Sequence, residues 1–251
     1  MQGRDSPSRD SLSAVRVAAL NDIHGNLPAL EAVLADVEAE GVDTIVVGGD
    51  VLWGPFQSEC ITALRTADAL FLAGNCEREV LSGSDESSRW CRERLAPDEL
   101  EFVSGWPATV ELDVDGLGHV LFCHATPRSD DEILTRITED REVAAALSGV
   151  DADVVVCGHT HVQHERRTPG APRLVNAGSI GLPYQGEPGA FWAILGPNVQ
   201  FRRTAYDIDA ALASVTSSQF PSAARIFGDS LRGAASAESA TAYFESTRSG
   251  A

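Results

Sequence analysis

Lysine is absent from this chain: all 19 basic residues are arginine, set against 37 aspartates and glutamates, for a net charge of −18. A deficit of positive charge on that scale argues against a nucleic-acid backbone or an anionic membrane as partner. It also requires that any anionic substrate be drawn in by local cations, metal or arginine, against the field of the whole molecule. Solubility or adaptation to salt is reason enough for the acidity itself. Long apolar runs are lacking too, and no stretch is long enough to cross a bilayer. The opening M-Q-G-R-D-S-P-S-R-D-S-L-S has no apolar core, so it is not a secretory signal, and residues 1–13 read as a disordered leader. The five cysteines (Cys60, Cys76, Cys91, Cys123 and Cys157) are odd in number and include no C-x-x-C pair. Cys123 and Cys157 fall in apolar, strand-like runs. This is the pattern of reduced core thiols, not of a disulfide framework, and the expected compartment is the cytoplasm.

What remains is a globular composition, with 251 residues and 43% hydrophobic side chains, enough for a sizeable core. Ala14–Leu20 reads as a first strand ending at Asn21-Asp22-Ile23-His24-Gly25. Asn26 then caps a helix to Glu40, whose Leu27, Leu30, Val33, Leu34 and Val37 recur at helical spacing, and Gly41 stops it. The second strand, Thr44–Val47, runs into Gly48-Gly49-Asp50. Strand, helix and strand in this order make a βαβ crossover and so a parallel pair. Gln57–Arg65 is a helix, and Ala69–Leu72 is a strand ending in Gly74-Asn75-Cys76-Glu77. Residues 78–108 form a helical excursion, with stretches at Ser87–Leu95 and Pro97–Ser104. Thr109–Val114 and Gly118–Cys123 flank Asp115-Gly116, a hairpin signal, and the second delivers His124-Ala125-Thr126-Pro127-Arg128.

A helical region is expected over about Asp131–Leu147. The run Val154-Val155-Val156-Cys157 then reads as a buried strand breaking at Gly158-His159-Thr160-His161. Arg173–Asn176 is a further strand, and Phe191–Leu195 and Val199–Arg203 form a hairpin about Gly196-Pro197-Asn198. Helices packed on the outside follow over 206–233, and 234–251 is expected to fray. These elements describe a single domain over 14–233, an α/β (α+β) protein of two stacked sheets with helices outside.

The chemistry-bearing residues sort themselves by position. Asp22 and His24, Asp50, Asn75, His124, His159 and His161 all sit just past apolar strands, where open α/β sheets place their ligands. Four of the six histidines belong to this set. Residues i and i+2 share a side of extended backbone, so His159 and His161 can face one point. Seven N and O donors exceed the needs of one catalytic ion and suit two ions sharing a carboxylate, about 3.5–4 Å apart. The donor mixture favours Mn, Fe or Zn over Ca or a thiolate-preferring metal.

D-x-H at Asp22–His24, G-D at Gly49–Asp50, G-N at Gly74–Asn75, His124 and G-H-T-H at Gly158–His161 together resemble the calcineurin-like metallophosphoesterase superfamily. The wording G-N-C-E, H-A-T-P-R and N-A-G-S-I-G-L-P is similar to its small bacterial branch of phosphodiesterases and diadenosine-tetraphosphatase-like proteins. The likeness spans roughly residues 15–205. It implies a four-layer αββα sandwich of two mixed β-sheets flanked by helices, with two divalent metal ions, Mn first and Fe, Zn, Ni or Mg as other candidates. Carried over by position, Asp22, His24 and His161 would hold one ion and Asn75, His124 and His159 the other, with Asp50 bridging. A bridging hydroxide would then attack phosphorus in line, which gives Asp50, Asn75, His124 and Cys76 catalytic parts.

Cys76 departs from the pattern, because many members have histidine there to assist the leaving group. A thiol is the weaker acid and poorer donor, and a small buried hydrophobe is an equal reading of it. Arg128 and Arg78 could reach a substrate phosphate, or could be surface arginines. His119 reads as structural, and His164 as solvent-facing. Asn176 or Ser179 could orient a ligating histidine from behind, and Trp53 and Tyr184 could frame the pocket. The expected partner is a small phosphoester, with a diester favoured over a monoester. A protein phosphatase, a diadenosine-polyphosphate hydrolase with the same site, and a non-catalytic scaffold are the alternatives. Oligomeric state stays open.

Overall fold

A computed structural model describes residues 15–248. The leader expected at 1–13 lies outside them. The first half alternates strand and helix: β1 (Val17–Leu20), α1 (Leu27–Glu40), β2 (Thr44–Val47), α2 (Gln57–Thr66) and β3 (Leu70–Phe71). Asn26 caps α1 by accepting from Ala29 N–H at 3.3 Å, and Gly41 ends it in left-handed backbone at φ 60°. Three helices follow, α3 (Asn75–Ser82), α4 (Glu86–Arg92) and α5 (Pro97–Ser104), and then the hairpin β4 (Thr109–Val114) and β5 (Gly118–Cys123).

Next come α6 (Asp140–Ala146), β6 (Val154–Cys157), β7 (His164–Arg166), β8 (Arg173–Asn176), and the hairpin β9 (Ala190–Leu195) and β10 (Val199–Thr204). Three helices close the described chain: α7 (Ile208–Ser217), α8 (Ala223–Leu231) and α9 (Ala237–Arg248). Among the described residues, no helix is long and apolar enough to cross a membrane.

Two five-stranded mixed sheets form, in the orders β10-β9-β1-β2-β3 and β4-β5-β6-β8-β7. The period of two along each strand divides the side chains between layers. Val17, Ala19 and Val46 of the first sheet meet Val120, Phe122, Val154, Val156 and Val175 of the second in one buried cluster. Ala18, Leu20, Ile45 and Val47 point the other way, into Leu30 and Val33 of α1 and Ile61 and Leu64 of α2. Leu121, Val155 and Leu174 pack outward on Val143 and Ala146 of α6. The result is the αββα sandwich. Because β1, β2, β5 and β6 run parallel to their partners β2, β3, β6 and β8, their carboxyl ends gather along one edge.

Three local expectations are corrected, and one strand, β7, was not expected. Helix covers 140–146, not 131–147. Ahead of it the Thr138 hydroxyl accepts from Thr135 N–H and the Thr135 hydroxyl from Ile137 N–H, so side chains satisfy the backbone that a helix would have paired. The helical excursion begins at Asn75, three residues early, because the Glu77 carboxylate satisfies the Gly74 N–H at the helix start. The three-residue β7 was too short to show any alternation. And the chain past Gly233 does not fray within the described residues: α9 stands against 135–142, with Glu245 accepting from the Thr135 and Thr138 hydroxyls and Arg248 paired to Glu142.

Candidate metal centre

The strand-end loops are unusual in their backbone. Asp22, His24, Asp50, His159 and His161 all adopt positive φ, between 48° and 64°. Left-handed backbone is uncommon outside glycine, and Asp and His are among the few residues that tolerate it. Its concentration here turns successive side chains back toward one another at the edge of the sandwich. Glycine supplies the clearance. A methyl on Gly74 would lie 2.3 Å from Asp50 Oδ1, and one on Gly158 would lie 2.2 Å from Asp22 Oδ2. The glycines before Asn75 and His159 are therefore sites of close approach, where no side chain fits.

Three imidazoles are oriented in the same way. His24 Nδ1 is 3.2 Å from Trp53 O, His124 Nδ1 is 2.9 Å from Gly48 O, and His161 Nδ1 is 2.7 Å from Leu182 O. Carbonyl oxygens only accept, so each Nδ1 carries the hydrogen and each Nε2 turns inward. The inward atoms converge. His161 Nε2 is 3.2 Å from both His24 Nε2 and Asp22 Oδ1. His124 Nε2 is 3.1 Å from Asn75 Oδ1 and 3.4 Å from Asp50 Oδ1. Asp50 Oδ2 lies 3.8 Å from His24 Nε2, which places Asp50 between the two groups. Among the described residues, three sets have metal-ligand spacing: Asp22, His24 and His161; Asp22, Asp50 and His124; and His24, Asp50 and Cys76. So many inward lone pairs at these distances need positive charge among them, from protons or from cations.

The titration behaviour fits that need. Burial would lower His124, but the adjacent Asp50, by charge and hydrogen bond, and Asp22 lift it to about 10. His161 is raised as well, because Asp22 outweighs its burial. Burial would raise Asp50, yet His124 and His24 hold it far below the usual carboxylate range. Burial and His161 lower His24 to about 4, and burial and His124 do the same to His159. Protons on His124 and His161 are stand-ins for cations, and the donor set fits divalent metal.

His159 and Cys76 differ from the rest. The His159 ring is half-buried and faces His124 at 5.2 Å between centroids, but it is in none of the three ligand-spaced sets; its backbone N–H donates to Asp22 Oδ2 at 3.0 Å. Cys76 is buried, with Sγ 3.0 Å from Asp50 Oδ2. Burial, Asp50 and Glu77 push the thiol well up, so it stays protonated and donates to that carboxylate.

Neither arginine reaches the centre. Arg78 pairs with Asp130, and Arg128 with Glu132 and Ala145 O. His119 bonds Glu111 and Asp113. His164 is buried rather than solvent-facing, its Nδ1 on Val162 O. Asn176 and Ser179 grip loop backbone, not imidazole: Asn176 Nδ2 donates to Gly158 O, and the Ser179 hydroxyl donates to Asp22 O.

The centre floors a cleft of about 370 Å³ lined also by Trp53, Glu79, Asp85, Leu182, Tyr184, Ile226 and Phe244. Sequence reasoning missed Glu77, which is buried and accepts from the N–H groups of Asp50, Val51, Leu52 and Gly74 at 2.7–3.1 Å. It clamps the Asp50 loop to the Asn75 helix. Its place three residues after Gly74, at the start of a helix, was the available signal. Phe244 was missed as well, and no local pattern marks it.

The chain belongs to the calcineurin-like phosphoesterase superfamily, whose domain model matches residues 15–195. It is therefore a metal-dependent hydrolase of phosphoesters by family. It is 26% identical to a metallophosphoesterase from Sphaerobacter thermophilus, whose structure superposes with a TM-score of 0.70 over 89% of this chain and 99% of that one. A hypothetical protein from Pyrococcus horikoshii shares the fold at a TM-score of 0.75, with 19% identity, over 87% of this chain and 98% of that one. An uncharacterised protein of Methanocaldococcus jannaschii is 26% identical over 232 residues, covering 82% of this chain and 93% of its own.

Proposed function

We propose that this protein is a dinuclear phosphodiesterase, with manganese the expected metal and a reducing, cytoplasmic compartment in keeping with its five free thiols. Asp22, His24 and His161 would hold one ion and Asn75, His124 and His159 the other, with Asp50 shared between them. Bound divalent cations supply Lewis acidity, neutralising charge on the phosphoryl oxygens and acidifying the attacking water. The chain's own residues hold that arrangement. Carbonyls of Trp53, Gly48 and Leu182 fix three imidazole tautomers, Cys76 Sγ–H and N–H orient Asp50, and Glu77 anchors the backbone beneath it.

The observation that carries the diester reading is the lining of the cleft: among the described residues no arginine, but Glu79 and Asp85. A dianionic monoester or a polyphosphate would carry charge beyond what sits over the cations toward those carboxylates, with no arginine of the described lining to offset it, whereas a diester brings a single charge. The same lining weighs against a diadenosine-polyphosphate substrate. Cys76 holds its proton for Asp50 and is not free to protonate a departing alkoxide, which favours good leaving groups.

The test is chelation followed by reloading with Mn, Fe, Zn, Ni or Mg, then hydrolysis of bis(4-nitrophenyl) phosphate against 4-nitrophenyl phosphate. The diester is expected to turn over faster, and Asp50→Asn to lose roughly a hundredfold or more in kcat. A faster monoester would overturn the diester reading. No turnover with any metal would overturn the enzyme.

A further inference from the structure

Beyond the metal centre the cleft continues along a line of rings that ends outside it. Tyr184 stacks on His161, with centroids 4.9 Å apart and planes at 21°. Phe244 of α9 lies 6.4 Å from Tyr184 and 6.4 Å from His159. Tyr243 follows, 5.8 Å from Phe244 and 65% exposed. Under these rings a second hollow of about 240 Å³ opens, lined by Tyr184, Ala235, Ser239, Ala240, Tyr243 and Phe244. Tyr184 and Phe244 line both hollows, so the second stands directly beside the first. Its lining carries no charged side chain, in a molecule whose net charge is −18. Small residues floor it and aromatic rings wall it, the shape and chemistry of a slot for a flat, uncharged group.

The wall is held in place. Glu238 pairs with Arg136 at 3.1 Å, Glu245 accepts from Thr135 and Thr138, and Ala235 O accepts from Gly186 N–H at 2.9 Å. The chamber is therefore standing before any ligand arrives, which lowers the ordering cost of binding there.

We propose that this second hollow is a subsite for one planar, uncharged ester arm of the substrate, a nucleoside or aryl group, with the phosphate over the metal centre. The ring lies against Tyr184 and Phe244, and Tyr243 closes its outer edge. A polyphosphate arm is disfavoured, since Glu79 and Asp85 line the same cleft. The assignment rests on the phosphodiesterase reading above and names the arm that reading left open.

The experiment is calorimetric titration of the Mn-loaded full chain with methyl phenyl phosphate and with dimethyl phosphate, which share a charge and differ by one ring. The phenyl ester is expected to bind about tenfold tighter, the scale of one ring stacked on aromatic side chains. Phe244→Ala should remove most of that preference, and Tyr243→Ala, at an exposed position that does not threaten folding, about threefold of it. Equal affinity for the two esters in the wild type overturns the subsite, as does a preference untouched by both variants. Turnover of bis(4-nitrophenyl) phosphate is measured alongside. A protein that hydrolyses it but shows no ring preference sinks the subsite alone, and one that prefers the ring but hydrolyses nothing sinks the enzyme reading alone.

Discussion

At the floor of the cleft, Asp22, His24, Asp50, His159 and His161 are held in left-handed backbone at strand ends. At its outer wall, Phe244 and Tyr243 ride on an ordinary helix joined by side-chain bonds to 135–142, with Ala235 just ahead of it accepting from Gly186 N–H. The floor is buried and polar, and it is stitched by backbone donors into Glu77. The wall is apolar and partly exposed, and it stands on hydroxyl–carboxylate and ion-pair contacts. Strain of about 1–3 kcal/mol at each left-handed residue persists only where the surroundings over-determine it. That requirement ties the floor to one chemistry. The wall has no such tie, so its side chains can change what is bound without disturbing how the centre is built.

Breaking the stitch should show the difference at its largest. Glu77→Ala leaves four buried backbone N–H groups without their acceptor and is expected to cost about 3 kcal/mol or more, read as a lower urea midpoint, with metal affinity falling roughly 10–100-fold. An Ala variant as stable as wild type would mean that the floor is not organised through this carboxylate.

The seam between floor and wall should respond to acid. His164 is buried beside Arg166 and Arg136, the latter a footing of α9. Burial and then these two arginines lower it from 6.5 to about 4, against the pull of Val162 O. The unfolded chain therefore takes up this proton first as pH falls. The stability contributed by neutral His164 is complete above pH 6.5 and is lost between there and about 4, by at most about 3 kcal/mol. Urea unfolding at pH 7.5 and 4.5 should show that loss in wild type and a shallower one in His164→Leu. Identical pH slopes would remove His164 from the account.

The smallest effect belongs to the wall. Arg248→Ala deletes half-exposed pairs with Glu142 and Glu245 and should cost roughly 0.5 kcal/mol in thermal unfolding, with the metal centre unaffected. A loss rivalling that of Glu77→Ala would erase the distinction between the two regions.

Much of the floor was legible in advance. Asp22, His24, Asp50, Asn75, His124 and His161 stand at the ends of short apolar strands and do converge, because a parallel strand delivers its last side chain to one edge of the sheet. His159 reaches the same cleft but keeps a distance that periodicity could not foretell. Arg78 and Arg128 were not legible at all. Their partners Asp130 and Glu132 lie on a loop whose path only the fold defines, and a guanidinium goes to whichever carboxylate is nearest. The segment 131–139 misled for a local reason, since threonine hydroxyls displaced the helix that its spacing suggested.

The residues alone were sufficient for two stacked sheets with helices outside and for placing polar donors at the strand ends, since periodicity along strands and helices is a short-range property; the four-layer αββα order came from the family resemblance. Only the tertiary structure settled which carboxylate clamps the floor and which rings wall the cleft. Glu77 meets the Asp50 loop across about two dozen residues, and Phe244 meets His159 across far more. Contacts between distant segments depend on how the layers pack, which no local pattern records.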